Sequence, residues 1–334
     1  MKYNLLGKTG LKVSCLSFGA SALGGVYGQV DEAEGIRAVH TALDLGINYF
    51  DVSPAYGGDR AETVLGKALE GIPRDRYYLS TKVGKHTQPG SYGEDTFDYS
   101  CTRIRASLDE SARRLGADYF DIVHLHDFEY EHRKHVKWAL TEGVATLLEL
   151  KREGRIGNVS CGIYPMELWL RIFREEPIDA ALVHNHWTLA DLRMIELLPL
   201  ARQKNIGIIN GSPFASGLLT GREAPHWHPA SEADRSLFRR ASVFCDQHGA
   251  PISKLALQFS SQHPHLPTTL FSSSRSESVR RNVAWHEEPY DPALVAEIQR
   301  ILAPVINKQW DFDQTALTPF NCSALKSGST AGSQ

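Results

Sequence analysis

The chain has 334 residues, 42% of them hydrophobic and 22% charged, with a formal net charge of −3. These are globular values for a chain able to bury a large core, and they argue against a nucleic-acid partner or an anionic membrane surface. No apolar run reaches the length of a membrane span, and five scattered cysteines (Cys15, Cys101, Cys161, Cys245 and Cys322) without a CxxC pair predict reduced thiols in a cytoplasmic protein.

Residues 3–6, the turn Gly7-Lys8-Thr9-Gly10 and residues 11–13 predict a β-hairpin. A strand-length apolar run follows at 13–18. Ile36, Val39 and Leu43 then share one helix face, with Asp31 as N-cap and Gly46 as stop. The run 47–51 precedes a helix through Val64, Leu65, Ala68 and Leu69 that ends at Gly71. The run 77–81 precedes Ser100 and the helical set Ile104, Leu108, Ala112 and Leu115, closed by Gly116. The run 120–124 is followed by Leu147, Leu148 and Leu150 before Gly154, and the run 157–161 comes next. The run 180–184 precedes a helix through Leu192, Ile195 and Leu198 that stops at Asn205, and then comes the run 206–210. A Pro- and His-rich insertion, 223–253, separates it from the last run, 268–272. The tail from Lys308 carries Trp310, Phe312 and Phe320 before turning Ser/Gly/Thr-rich, so one domain over 1–322 and a disordered 323–334 are expected.

Eight strands too apolar to face water, alternating with helices, predict a parallel sheet covered by helices. Eight such units predict an α/β fold, a closed (β/α)8 barrel of TIM type with the N-terminal hairpin and extra helices. The open doubly wound alternative lacks a GxGxxG after its first strand.

A parallel barrel carries its active site at the C-terminal strand ends. Asp51 ends the second run, with Tyr56 just beyond it in DVSPAYGG; Lys82 follows the third in STKVG; His124 and His126 stand in DIVHLHDFE. A lysine would compete with a metal cation, so this is a proton-transfer set. An ordinary tyrosine has a pKa of about 10, and the Lys82 ammonium is expected to lower it while Asp51 holds the ammonium in place. Tyr56 then gives or takes a proton as hydride moves, and His126 hydrogen-bonds the reacting oxygen. His124, two residues earlier on the same face, is expected behind it. Any one of these residues alone reads as a cap or a solvated charge; four at successive strand ends do not.

The stretches FGASALGG, GINYFDVSPAYGG, ETVLGKAL, STKVG, YFDIVHLHD, GSPFASGLLTG and SSSRSESVRRNV resemble the aldo-keto reductase family, over roughly residues 3–285. VHLHDFEY, PHWHPAS and KLALQFS resemble its branch of L-galactose and L-fucose (D-threo-aldose) 1-dehydrogenases. The resemblance implies a barrel that binds NAD(P) in extended form and a catalytic tetrad at Asp51, Tyr56, Lys82 and His126. It further implies oxidation of a sugar's anomeric C1 hydroxyl to a lactone. Alternatives are a dehydrogenase or reductase for pyridoxal or another small alcohol or aldehyde, and a cofactor-binding regulatory subunit.

This chain departs from the family pattern where the nicotinamide is held. Gly162 and Ile163 stand in place of a Ser-Asn pair, His184 in place of Gln, and Gly211 in place of an aromatic residue before Ser212. His184, Trp187 or Phe214 are the substitutes expected. The resemblance places the diphosphate at Ser212, Pro213, Phe214, Ser216, Gly217 and Leu218, and the substrate near His126, Trp187, Trp227 and His228. Ser272, Ser274 and Ser278 fall where NADP-dependent members carry cations, with Arg275 nearby and Asn282 at the adenine position. NAD is therefore the expected cofactor, with NADP possible, and a small sugar the expected partner.

Overall fold

All eight apolar runs form strands in the computed structural model, which describes residues 1–87 and 95–313; the expectations for Phe320, Cys322 and the 323–334 tail fall outside these residues. The strands in chain order are β1 (Tyr3–Leu5), β2 (Lys12–Ser14), β3 (Leu16–Gly19), β4 (Tyr49–Asp51), β5 (Tyr78–Val83), β6 (Lys85–Thr87), β7 (Asp95–Phe97), β8 (Phe120–His126), β9 (Ile156–Ile163), β10 (Ala180–His184), β11 (Gly207–Gly211) and β12 (Thr268–Ser272). Among the described residues, β3, β4, β5, β8, β9, β10, β11 and β12 pair in parallel, in that order, and close on themselves as a barrel. β6 and β7 form a separate antiparallel ribbon at the barrel mouth.

The run 13–18 divides at Cys15. Its amide bonds Lys2 O and its carbonyl bonds Thr269 N, so the chain passes there from the hairpin into the barrel. β1 and β2 pair antiparallel, and the hairpin's Leu6 and Val13 are fully buried. They pack with Tyr49, Ile122, Ala180, Leu182, Ile209 and Leu270, which point inward from five barrel strands. The hairpin thus plugs the end where the strands begin. Because side chains alternate with period two, the residues two places on along these strands also face inward, one layer nearer the mouth. Asp51, His124 and His184 occupy that layer. An apolar floor and a polar ceiling are therefore written on the same strand faces.

The helices are α1 (Glu32–Asp44), α2 (Arg60–Leu69), α3 (Cys101–Leu115), α4 (Val136–Trp138), α5 (Val144–Arg152), α6 (Met166–Glu175), α7 (Leu198–Lys204), α8 (Glu232–Gln247), α9 (Ile252–Ser261), α10 (Ser276–Glu287) and α11 (Pro292–Ile301). The predicted caps form: Asp31 accepts Ala33 and Glu34 N–H, Ser100 accepts Arg103 N–H, and Asn205 closes α7 at φ +52. The helix expected from Leu192 begins only at Leu198. Pro199 stands in its first turn, the helical position that tolerates a missing N–H, and Arg193–Glu196 is a separate 3-10 turn. The Pro/His-rich insertion supplies α8, started by a Ser231/Asp234 capping box, and α8 packs with α11 around a second apolar cluster. No helix among the described residues is long and apolar enough to cross a membrane.

Candidate active site

Two glycines fix the turn that carries Tyr56. A β-carbon on Gly57 (φ +71) would overlap the Gly24 carbonyl oxygen, and one on Gly24 would overlap the Tyr56 carbonyl oxygen. The loop after β3 and the turn after β4 therefore touch backbone to backbone, an approach only glycine permits. Ser53 ties the turn from within: its carbonyl accepts Tyr56 N–H at 3.1 Å and its hydroxyl accepts Ala55 N–H at 3.1 Å.

Below Tyr56 lies a buried ion pair. The Lys82 ammonium donates to Asp51 Oδ2 at 2.5 Å and to the Val52 carbonyl at 2.9 Å, with side-chain exposures of 1% for Lys82 and 4% for Asp51. Ser80 donates its hydroxyl to Asp51 Oδ1 at 2.7 Å. His124, as expected, sits behind: its Nδ1 is 2.8 Å from Ser160 Oγ, and its Nε2 is 3.3 Å from Asp51 Oδ1 but off the line of a hydrogen bond. Burial works to raise the Asp51 carboxyl, yet Lys82 and then His124 outweigh it and hold Asp51 below the usual carboxylate range. Burial pulls the Lys82 pKa down, against the attraction of Asp51.

Lys82 Nζ lies 5.0 Å from the Tyr56 ring centre, and the His126 ring meets Tyr56 edge-on at 5.9 Å. The Tyr56 pKa stands well above the ordinary 10.0, first because of burial and then because Asp51 and Asp127 repel a phenolate. This corrects the expected downward shift. The Lys82 charge is matched by a carboxylate in direct contact, so burial and the two aspartates prevail and Tyr56 is held as the acid. His126 is neutral: burial brings its pKa down to about 3, opposed by Asp127 and reinforced by Lys82 and Lys85.

A wall of rings borders these groups. Tyr27 faces Trp227 at 6.2 Å, Trp227 faces Phe312 at 6.5 Å, and Phe312 meets both His228 (5.4 Å) and Tyr164 (5.0 Å). Tyr164 in turn faces His184 at 5.6 Å. The segment through Phe312 is strapped down by Trp310 N–H to Tyr164 Oη at 3.0 Å and by Asp313, which accepts the Glu131 and His132 amides at 2.7 and 2.8 Å. Lys85, on β6, bridges Asp127 (2.8 Å) and Asp95 (2.9 Å) beside the His126 ring.

The four tetrad residues thus meet, and Trp227, His228 and His184 belong to the ring wall. Trp187 does not: it is stacked on Phe259 of α9 at 5.1 Å with His263 at its edge, so its expected place beside the nicotinamide or the substrate is not supported. Ser212, Ala215, Ser216 and Gly217 all have positive φ (58, 48, 51 and 106), a left-handed curl of the kind that turns amides toward an anion. Around Pro213, Phe214 and Leu218, the expected place of a diphosphate, the Ala215, Gly217 and Leu218 amides already donate to the Ser212, Phe214 and Ala215 carbonyls, and the Ser216 hydroxyl is taken by Asn185. The Ser272 hydroxyl accepts Ala22 N–H at 2.8 Å and joins the β12 end to the first loop. Ser274 and Arg275 lead into α10, and Ser278 and Asn282 lie in its first two turns; sequence reasoning missed Glu34 at the helix start, where its Oε1 accepts both the amide and the hydroxyl of Ser276 at 2.7 Å. Those bonds, with Arg37, bring the Glu34 pKa down to about 2. Tyr27, Tyr164, Ser53 and Lys85 were also missed; Tyr164, just past the end of β9 and before a proline, had the strand-end signal. No cluster of three His, Cys, Asp or Glu side chains suited to a metal occurs among the described residues.

A model of the aldo/keto reductase family matches residues 15–303. L-galactose dehydrogenase of Arabidopsis thaliana is 38% identical over 91% of this chain and 95% of its own length. Pyridoxal 4-dehydrogenase of Microbacterium luteolum is 30% identical (85% and 92%), and D-threo-aldose 1-dehydrogenase of a Pseudomonas species is 29% identical (86% and 94%). The holo form of an aldo-keto reductase from Bacillus halodurans superposes with a TM-score of 0.73 at 27% identity, covering 92% of this chain and 96% of that one.

The site's buried histidines carry a pH signature. Burial is the leading cause in each: it brings His126 to about 3 and both His184 and His228 to about 4, against 6.5 in an unstrained chain. Depressed pKa values make the neutral forms stabilising above 6.5, and that contribution is lost as pH falls, since the unfolded chain binds protons the folded one refuses. Each such histidine contributes a slope of up to about 1.4 kcal/mol per pH unit. Urea unfolding between pH 8 and 5 should show stability falling toward acid, with a shallower fall in His228→Gln. Equal slopes for the two proteins would contradict this.

Proposed function

The chain belongs to the aldo/keto reductase family, and on that premise we propose that it is an NAD-preferring aldose 1-dehydrogenase that oxidises the anomeric C1 hydroxyl of L-galactose or L-fucose to a lactone. The family's members are oxidoreductases that use NAD(P)(H) on small molecules. The observation that carries the reading is the meeting of Tyr56, His126 and the Lys82–Asp51 pair at one rim, roofed by aromatic rings.

The C1–OH proton passes to Tyr56 Oη as the C1 hydride departs and the C1–O bond becomes double. Lys82 is the cation placed to steady the phenolate, Asp51 keeps Lys82 charged, and His126 donates to the reacting oxygen. Bound NAD(P)⁺ supplies the hydride acceptor at its nicotinamide C4. The loop at Ser212–Leu218 would hold its diphosphate, the start of α10 its adenosine end, and His184 its carboxamide. Because burial and the aspartates hold Tyr56 protonated, the base form is scarce at neutral pH. Oxidation should therefore accelerate as pH rises. The wall of Tyr27, Trp227, Phe312 and Tyr164 offers flat apolar faces to the C–H side of a pyranose. It would accept a pyridine ring as well, and the 30% identity to a pyridoxal dehydrogenase makes pyridoxal the rival substrate.

Glu34 favours NAD over NADP. Its carboxylate already occupies the N-terminal amide and hydroxyl of α10, where a 2′-phosphate would otherwise find donors.

A panel of aldoses and pyridoxal, read by reduced-cofactor absorbance, should show L-galactose or L-fucose oxidised faster than D-glucose, at a rate rising from pH 7 to 9. Tyr56→Phe should reduce turnover by about 10²–10⁴-fold. Activity on pyridoxal with none on any aldose would overturn the substrate. In a second measurement, Glu34→Gln should raise kcat/KM for NADP⁺ about tenfold relative to NAD⁺, as expected for removing one nearby repulsive charge. An unchanged ratio would remove Glu34 from cofactor choice.

A further inference from the structure

Ser53 is fully buried, and its hydroxyl has two neighbours: Ala55 N–H at 3.1 Å and His126 Nδ1 at 3.2 Å. A hydroxyl has one proton to give. The Ala55 amide can only donate, so the oxygen accepts there. If Nδ1 also carried a proton, the Ser53 proton would be buried with no acceptor among its recorded contacts, which costs more than the bond it would replace. The arrangement that satisfies every group has Ser53 donating to a bare Nδ1. The neutral ring's one proton is then on Nε2. That nitrogen lies 3.5 Å from Asp127 Oδ1, and the negative charge pulls the proton the same way. The other charges near the ring are Lys82, Lys85 and Asp51; the two lysines disfavour a second proton on it.

We propose that Ser53 is a positioning residue that fixes His126 as the Nε2–H tautomer, a hydrogen-bond donor that cannot take the substrate's proton. The same serine holds the turn bearing Tyr56 through its carbonyl and hydroxyl. One residue therefore orients both groups that meet the reacting oxygen. With His126 able only to donate there, the hydroxyl proton of a bound alcohol has one exit, toward Tyr56. The division of labour between acid–base and orienting group is thus set one layer beneath them. This inference rests on reading the rim as an acid–base centre but not on which substrate it takes.

The test is nitrogen-15 NMR of histidine-labelled whole protein, with the His126 signals assigned by their loss in His126→Gln. The expected spectrum shows a pyridine-type Nδ1 and a pyrrole-type Nε2 at neutral pH. Ser53→Ala should shift the His126 ring toward a mixture of tautomers, and Ser53→Thr, which keeps the hydroxyl, should restore the single form. On whichever substrate turns over, Ser53→Ala should lower kcat about tenfold, the worth of one buried hydrogen bond, with little change in KM, and Ser53→Thr should recover most of it. A proton on Nδ1 in the unaltered protein would overturn the proposal, as would an unchanged tautomer in Ser53→Ala. The spectrum is recorded without substrate, so failure of the sugar assignment would leave it intact.

Discussion

A lysine and an aspartate with almost no exposure to water, 2.5 Å apart inside a barrel, constrain everything around them. Removing both charges from water is costly, and removing only one partner would leave the other uncompensated, typically at about 3–5 kcal/mol. The surroundings answer that cost atom by atom. Ser80 and Lys82 share the two Asp51 oxygens, and Val52 takes a second ammonium proton. The barrel sets β4, β5 and β8 side by side, so that Asp51, Lys82 and His124 converge; the register pairs Lys82 directly with His124. The apolar floor, plugged by Leu6 and Val13, keeps water from reaching the pair from below.

The same constraint shapes the chemistry above it. Burial, and after it Asp51 and Asp127, keep the phenol of Tyr56 protonated. His126 remains neutral for a related reason, since burial and two lysines outweigh Asp127 and Asp51. The rim therefore presents two uncharged hydrogen-bond donors to an oxygen atom, beneath aromatic rings drawn from the first loop, the α8 insertion and the C-terminal strap. In the proposed reaction these two donors would polarise a carbonyl, and an alcohol would be oxidised only as the phenol gives up its proton.

Much of this was legible in the sequence because it depends on short-range pattern. Strand-length apolar runs marked the eight strands, side-chain caps and asparagine marked helix ends, and strand-end polar residues marked Asp51, Lys82 and His126. What was not legible depends on contacts between distant segments. The sign of the Tyr56 shift turned first on its burial and then on the charges of Asp51 and Asp127, none of which spacing reveals. Glu34 caps a helix that starts 242 residues later. Trp187 looked like a rim residue from its place after β10, yet the chain turns it toward α9. Ser53 was in plain view within DVSPAYGG, but its role emerges only when β8 lays His126 against it.

The central claim is that Lys82 and Asp51 act as one unit through which Tyr56 exchanges its proton. A double-mutant cycle on kcat, with Lys82→Met, Asp51→Asn and the two combined, measures that coupling directly. The account predicts that Lys82→Met is the more damaging single change, because Asp51 acts only through it, and that the double variant turns over about as slowly as Lys82→Met alone. Losses that multiply, with the double variant slower than Lys82→Met by the full factor seen for Asp51→Asn, would show two independent contributions and contradict it.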